Sequence, residues 1–317
     1  MRNAGKRDRR CERAVASLGK HYPFPHSQPD SESFAVSFVN CVRNTVTSAD
    51  VRISRFQPRS NGVGWFHARA GEFTCGGSKP SQQTETVNPG KPTTQAASYN
   101  ECLDLLHWVM AYRHEPIHSE LMKIRDKYSM LHVDVLILVY HFAKLCSGAI
   151  LEIGAFVGGA TIAAALGVRD SGQEKKLIAV EPGGGVKHKR LGTRNILRDL
   201  ERNLARERVA NMVKLVKGKS FKPETMSAVR QALGSDQVGL LILDADAAKR
   251  RDVDCYRDKF AEGSWMVIDD IYGADSNEKI TPSRADVDAL VAEGLLDPLG
   301  FYGWSTWIGR WRGRDCS

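Results

Sequence analysis

Five short segments of this 317-residue chain end in residues able to hold or polarise a small molecule. Ile150-Leu151-Glu152-Ile153 runs into Gly154, followed by Ala155-Phe156-Val157-Gly158-Gly159-Ala160-Thr161. An apolar run breaking into glycines is a buried strand turning into a helix, with small residues where a ligand can approach the backbone. Leu177–Val180 ends on Glu181, Val213–Lys217 on Gly218-Lys219-Ser220, the run from Val238 on Asp244, and the run from Trp265 on Asp269-Asp270. If these strands are parallel, all five groups share one rim, where open α/β sheets bind nucleotides. A carboxylate placed as Glu181 is can accept hydrogen bonds from both hydroxyls of a ribose lying over the first glycine turn. A single strand-end acid is usually a solvated surface group, and glycines alone make a tight turn. The reading rests on the ordered combination.

The elements that must position these groups follow from periodicity. Strands are expected at Ala149–Ile153, Leu177–Glu181, Val213–Lys217, Val238–Asp244 and Trp265–Asp269. Helical patterns separate them at Thr161–Gly167, Arg194–Arg206, Pro223–Leu233 and Arg251–Phe260. Strands alternating with helices imply a parallel sheet with right-handed crossovers. Ser283–Glu293 reads as a further helix opened by Thr281-Pro282. Leu295–Tyr302 and Trp304–Trp311, joined through Gly303, read as a closing antiparallel hairpin. The expected class is α/β: a Rossmann-like, mostly parallel sheet with helices on both faces.

Ahead of this core, helices are expected from Tyr99, at Ser119–Tyr128 and at Val133–Leu145. Residues 1–98 show no sustained period, and Ser, Thr, Asn, Gln, Gly and Pro dominate from Gly71 to Ser98. Such a stretch buries too little apolar surface to offset its ordering entropy, so it reads as a disordered extension. The domain is then 99–317, with 99–147 as a helical lid.

Net charge is +8, but the first twenty residues hold seven basic groups against Asp8 and Glu12, so the remainder is only mildly basic. A global nucleic-acid footprint is not expected. Seven scattered cysteines, none in a C-x-x-C pair, suit reduced thiols of a cytoplasmic protein. Val133–Cys146, the most apolar run, is broken by Asp134, His141 and Lys144, so no membrane span is expected.

An NAD fingerprint needs G-x-G-x-x-G, because a pyrophosphate presses on backbone N–H groups at the helix start. Here the pattern is Gly154-x-x-x-Gly158-Gly159. S-adenosylmethionine carries no phosphate and asks for space and a polar rim instead. Glu152–Thr161 resembles motif I of class I S-adenosylmethionine-dependent methyltransferases. Val180-Glu181 resembles their ribose-binding strand end, and Gly218-Lys219-Ser220 the turn beside the adenine. Asp244-Ala245-Asp246 and Ile268-Asp269-Asp270 resemble the metal segments of two O-methyltransferase branches, one acting on catechols and caffeoyl thioesters, the other macrocin-like. The likeness runs from about Tyr128 to Arg312 and implies a seven-stranded sheet with its last strand antiparallel.

That resemblance implies Glu152, Gly154, Ala155, Gly158 and Thr161 around the methionine end of the donor, Glu181 on the ribose, Ser220 by the adenine and Asp244 at the cofactor's edge. It also makes the strands ending in Asp244 and Asp269-Asp270 neighbours. Three carboxylates at one point repel unless a counter-ion is present. Mg²⁺ or another divalent cation would satisfy Asp244, Asp269 and Asp270 through oxygen ligation. Strand residues alternate faces, so Asp269 and Asp270 reach one ion only if the chain turns there. The family's base, three residues after the first aspartate, is replaced by Ala247; Lys249 and Asp246 are the nearest substitutes, and no catalytic residue is assigned. The expected acceptor is a small molecule, with a homodimer left open. The competing readings are an NAD(P)-linked oxidoreductase and a non-catalytic cofactor- or RNA-binding protein.

Several patterns are expected to carry no chemistry. His114-Glu115-Pro116-Ile117-His118 matches H-E-x-x-H by letter, but Pro116 breaks the helix that the zinc pattern needs. The basic run Lys187 to Arg208 is interspersed with Asp199, Glu201 and Glu207 and reads as a solvated face. Trp304, Trp307 and Trp311 read as hairpin packing, and Tyr272 as an acceptor-cleft residue.

Overall fold

The structure, a computed structural model, describes residues 94–273 and 278–313. The extension expected over residues 1–98 therefore lies, up to residue 93, outside the described residues. Everything described belongs to one unit of the chain, Ser81–Ser317.

Three helices come first: α1 (Thr94–Tyr112), α2 (Pro116–Tyr128) and α3 (Val133–Leu145). Then strands and helices alternate: β1 (Ala149–Ile153), α4 (Gly159–Ser171), β2 (Leu177–Glu181), α5 (Ile196–Arg206), β3 (Val213–Lys217), α6 (Pro223–Leu233), β4 (Val238–Leu243), α7 (Lys249–Tyr256) and β5 (Phe260–Ile268). The chain closes with α8 (Ile280–Ala292), β6 (Leu296–Tyr302) and β7 (Thr306–Trp311). The sheet order is β3-β2-β1-β4-β5-β7-β6. β1 to β5 pair in parallel, whereas β7 runs antiparallel to both β5 and β6. The expected mostly parallel sheet and closing hairpin are both present.

β1 lies in the middle, between β2 and β4, and all five of its residues are buried. A central parallel strand is covered on both faces, which explains a near-continuous apolar run without alternation. Successive residues feed opposite cores. Ile150, Leu177, Leu240, Ile242 and Val267 join the core under α1 to α5. Leu151, Ile153, Ile178, Leu241, Leu243 and Met266 join the core under α6, α7 and α8. Helices thus cover both faces, as the alternation of elements requires.

Several boundaries differ from the sequence expectation. α1 begins at Thr94, five residues before Tyr99. α7 ends at Tyr256 and not at Phe260, because Phe260 opens β5 and packs edge-on against Trp311 at 5.4 Å. The β4–β5 register shifts between Val238 and Leu240, and such a bulge hides the start of a strand from period-2 reading. Nine residues of α3 are buried, so that helix is part of the core flank, and only Tyr128–Leu131 reaches the cleft described below.

Candidate functional site

The carboxyl ends of β1 to β5 form one rim, and strand parity decides which side chains look the same way across it. Ala179 and Val267 face the core under α3 and α4; Glu181 and Asp269 stand two residues further on, so they share that face. Asp244 stands in the same relation to Ile242. The rim therefore gathers Glu152, Glu181, Asp244 and Asp269 on one side of the sheet, around a cleft of about 330 Å³.

The turn after β1 builds the floor of the cleft. Gly154 has φ +92°, and a Cβ there would lie 2.2 Å from the Asp244 carbonyl oxygen. Only glycine allows β1 and the end of β4 to approach this closely. Phe156 is left-handed at φ +48°, which aims its N–H at Glu181 Oε2, 2.8 Å away. The other carboxylate oxygen of Glu181 accepts from Gly183 N at 2.8 Å. The first turn and the acid ending β2 therefore converge. Burial raises the Glu181 pKa, and these two backbone donors oppose the rise.

Glu152 is buried and lines the same cleft. Its Oε2 accepts from Thr161 Oγ1 at 2.5 Å. Burial pushes its pKa up to about 8, with the nearby Glu181 charge adding to the effect and Thr161 opposing it. A cation in the cleft would find two carboxylates, Glu152 and Glu181, on one wall.

At the far end, Ser220 Oγ donates to Asp252 Oδ1 at 2.6 Å, and Tyr256 Oη donates to Ser220 O at 2.6 Å. The Arg251 guanidinium lies 3.9 Å over the Phe221 ring and bonds both Asp246 oxygens at 3.0 and 3.1 Å. Ser220, Phe221 and Arg251 all line the cleft, giving it a flat, partly apolar pocket closed by a fixed cation.

Asp244, Asp269 and Asp270 each offer an oxygen within 4.8 Å of the others. Asp270 has φ +62°, so the chain turns at that residue and brings both acids to one point. Ser305 Oγ and Thr306 Oγ1 donate to Asp269 Oδ1 at 2.8 and 2.6 Å. Crowding by protein atoms, then the Asp269 charge, holds the Asp244 carboxyl well above the usual range. Lys279 Nζ lies 3.3 Å from Asp270 Oδ2. The buried Lys249 amine has no hydrogen-bond partner, and its pKa is lowered by burial against the pull of Asp244. Three hard oxygens at this spacing suit a divalent cation such as Mg²⁺ or Ca²⁺. Of the three, Asp244 lines the cleft, and the other two stand beside it.

Residues 151–271 match a family described as a methyltransferase domain. The match opens inside β1 and closes just past Asp270, so it holds the Gly154 turn, Glu181 and all three aspartates. Over this stretch the chain is similar to methyltransferase domains. Its sheet resembles that of several solved methyltransferases. The O-methyltransferase TomG from Streptomyces achromogenes, involved in tomaymycin synthesis, is 16% identical, with 63% of this chain and 91% of that one covered and a TM-score of 0.47. The O-methyltransferase NovP is 14% identical over 68% and 100% of the two chains, with a TM-score of 0.47. A putative caffeoyl-CoA O-methyltransferase from Staphylococcus aureus is 13% identical over 66% and 99%, with a TM-score of 0.45. No curated protein matches this chain.

Of the candidate residues named from the sequence, Glu152, Gly154, Ala155, Glu181, Ser220 and Asp244 line the cleft. Gly158 and Thr161 do not. Gly158, at φ +103°, starts α4 with its Cα facing Leu200, and Thr161 is spent on Glu152. Both act on the cleft through other residues. Of the two substitutes for the missing base, Lys249 is fully buried and does not line the cleft, whereas Asp246 lines it and is ion-paired with Arg251. Sequence reading missed Lys279 and Arg251, which reach the cleft from segments without a motif, whereas Tyr128–Leu131 falls inside the stretch expected as a lid.

The other readings resolve simply. Pro116 opens α2, so His114 stands outside the helix that holds His118. Arg198 and Arg202 both bond Asp199, whereas Glu201 pairs with Lys217 beyond the run, so ion pairing touches only part of it. Trp307 and Trp311 are buried in the hairpin, but Trp304 is 69% exposed, against expectation, because it sits in the turn between β6 and β7. Tyr272 is exposed and stacks near Phe301 at 6.0 Å, beside the acids but outside the cleft lining. No single described helix is long and apolar enough to cross a membrane.

Proposed function

We propose that this chain transfers the methyl group of S-adenosylmethionine to a hydroxyl oxygen of a small molecule. One observation carries the reading: the loop after β1 and the acid ending β2 meet, Phe156 N to Glu181 Oε2, at 2.8 Å. A ribose over that loop would give its hydroxyls to the remaining lone pairs of Glu181. Glu152, Gly154 and Ala155 would border the methionine end, where the buried Glu152 carboxyl suits an ammonium group. Gly158 and Thr161 would hold that shape. Ser220 would stand by the adenine, with Phe221 and Arg251 closing over it. Asp244 would sit between donor and acceptor.

The transfer breaks the sulfonium–methyl bond as an oxygen–methyl bond forms, leaving a neutral thioether and releasing the hydroxyl proton. The protein's part is alignment of donor and acceptor. Asp244, Asp269 and Asp270 would hold a divalent cation. When bound, such an ion would orient an acceptor hydroxyl and lower its pKa. With Ala247 at the expected base position, no side chain is assigned that role. Tyr272, two residues past Asp270, pairs with Phe301 at 6.0 Å, and the two rings would meet an acceptor entering from that side.

Titration calorimetry tests the reading. The full chain should bind S-adenosylhomocysteine at micromolar affinity and leave NADH unbound. Binding of NADH without S-adenosylhomocysteine would overturn it.

A further inference from the structure

Between β2 and α5 the chain takes a strap, residues 182–195, along the edge of the cleft. It opens with Gly183 and Gly184, whose φ values are +85° and +100°, followed by Gly185. Reciprocal bonds between Val186 and Thr193, 2.8 and 2.9 Å, pinch its middle into a narrow loop. At the tip, His188 Nδ1 accepts from Leu191 N at 3.0 Å and fixes the turn that presents Arg190. Pro182 and Val186 of the strap line the cleft. The opposite wall is Tyr128–Leu131, just past α2.

Arg190 joins the two walls. Its Nη1 donates to the Arg125 and Asp126 carbonyl oxygens at 2.8 and 3.2 Å, and its Nη2 donates to Ser129 O at 2.7 Å. These carbonyls end α2, and a helix C-terminus offers unpaired acceptors and partial negative charge to a guanidinium. The strap is also tied to the nucleoside site, since Gly183 N bonds the same Glu181 carboxylate that would hold the ribose. A strap hinged on glycines and latched at its tip can swing without breaking the sheet.

Resting on the function proposed above, we infer that Arg190 is a positioning residue that latches the strap over the adenosine end of the cleft and sets how long the cofactor stays. It touches no reacting atom. It acts by holding Val186 and Gly183 against the wall formed by Ser129 and Met130.

Stopped-flow dissociation of S-adenosylhomocysteine from the full chain tests this. Loss of two or three charge-assisted bonds in Arg190→Ala should speed dissociation by about tenfold, with turnover at saturating donor unchanged or faster. Arg190→Lys, which keeps the charge but not the fork, should fall between the two. Hydrogen exchange without cofactor gives an independent readout: amides of 186–193 should exchange faster in Arg190→Ala, and those of β1 and β4 should not. Equal dissociation and equal exchange in wild type and Arg190→Ala would overturn the latch. If the wild-type chain binds no S-adenosylhomocysteine, the proposed function fails, and the exchange measurement still decides the latch.

Discussion

At the scale of single residues, two carboxylates carry opposite burdens. Glu181 keeps both oxygens on backbone N–H groups, so it remains a ready acceptor despite burial. Replacing it by glutamine keeps the shape but removes the charge, and charged hydrogen bonds contribute about 1.5–3 kcal/mol each. S-adenosylhomocysteine affinity, read by calorimetry, should fall by roughly 10- to 100-fold in Glu181→Gln; undiminished affinity would remove Glu181 from the ribose site. Glu152 has one hydroxyl partner and a pKa raised from 4.5 to about 8. A raised folded-state pKa gives stability that is complete below the unfolded value and lost as pH climbs through the folded one. Between pH 4.5 and 8 the wild type should therefore lose stability relative to Glu152→Gln, by a few kcal/mol in urea unfolding. A constant difference across that window would show that the carboxyl is ionised throughout. The glycine-rich turn made Glu152 readable in the sequence, and the apolar run Leu177–Val180 made Glu181 readable, because strand ends and glycines have a fixed local grammar. The charge state of Glu152 was not readable, since it depends on Thr161 and on the depth at which β1 is buried.

At the scale of elements, the turn after β1 is where strand geometry becomes a binding surface. Gly154 and Gly172 both have positive φ, +92° and +66°, yet their surroundings differ. A Cβ at Gly154 would strike the Asp244 carbonyl, whereas Gly172 ends α4 with nothing within 4 Å. Gly172→Ala should cost about 1 kcal/mol from backbone strain alone, and Gly154→Ala clearly more than 2 kcal/mol with displacement of β4. Equal costs by urea unfolding would mean that close approach of β1 and β4 is not what demands glycine. β1, β2, β3 and α6 were found at their sequence-expected bounds, since buried apolar runs and Pro or Gly boundaries are local signals. The start of β5 was not, because its first residues pair across an irregular register and include exposed Glu262 and Gly263.

At the scale of the whole molecule, the strand order places the ends of β4 and β5 side by side, and the turn at Asp270 completes the acidic trio. Equilibrium dialysis should find one Mg²⁺ per chain, lost in Asp269→Ala. Full transferase activity in excess EDTA would remove the metal from the proposal. The trio also explains why two lysines from different segments, Lys249 and Lys279, converge on this corner: both are drawn by the same negative field. Neither convergence has a sequence signature, as α7 and the start of α8 are joined to the acids only through the fold.

The order of apolar runs, glycines and acids was enough to specify an α/β sheet, its rim of strand-end acids and the aspartates beside it, because those features depend on residues adjacent in the chain. Tertiary structure alone decided which wall faces the rim, that Gly158 and Thr161 stand outside the cleft lining, and that Lys249 is fully buried. Each of these depends on how segments tens of residues apart come into contact, and such distances are set by packing across both faces of the sheet.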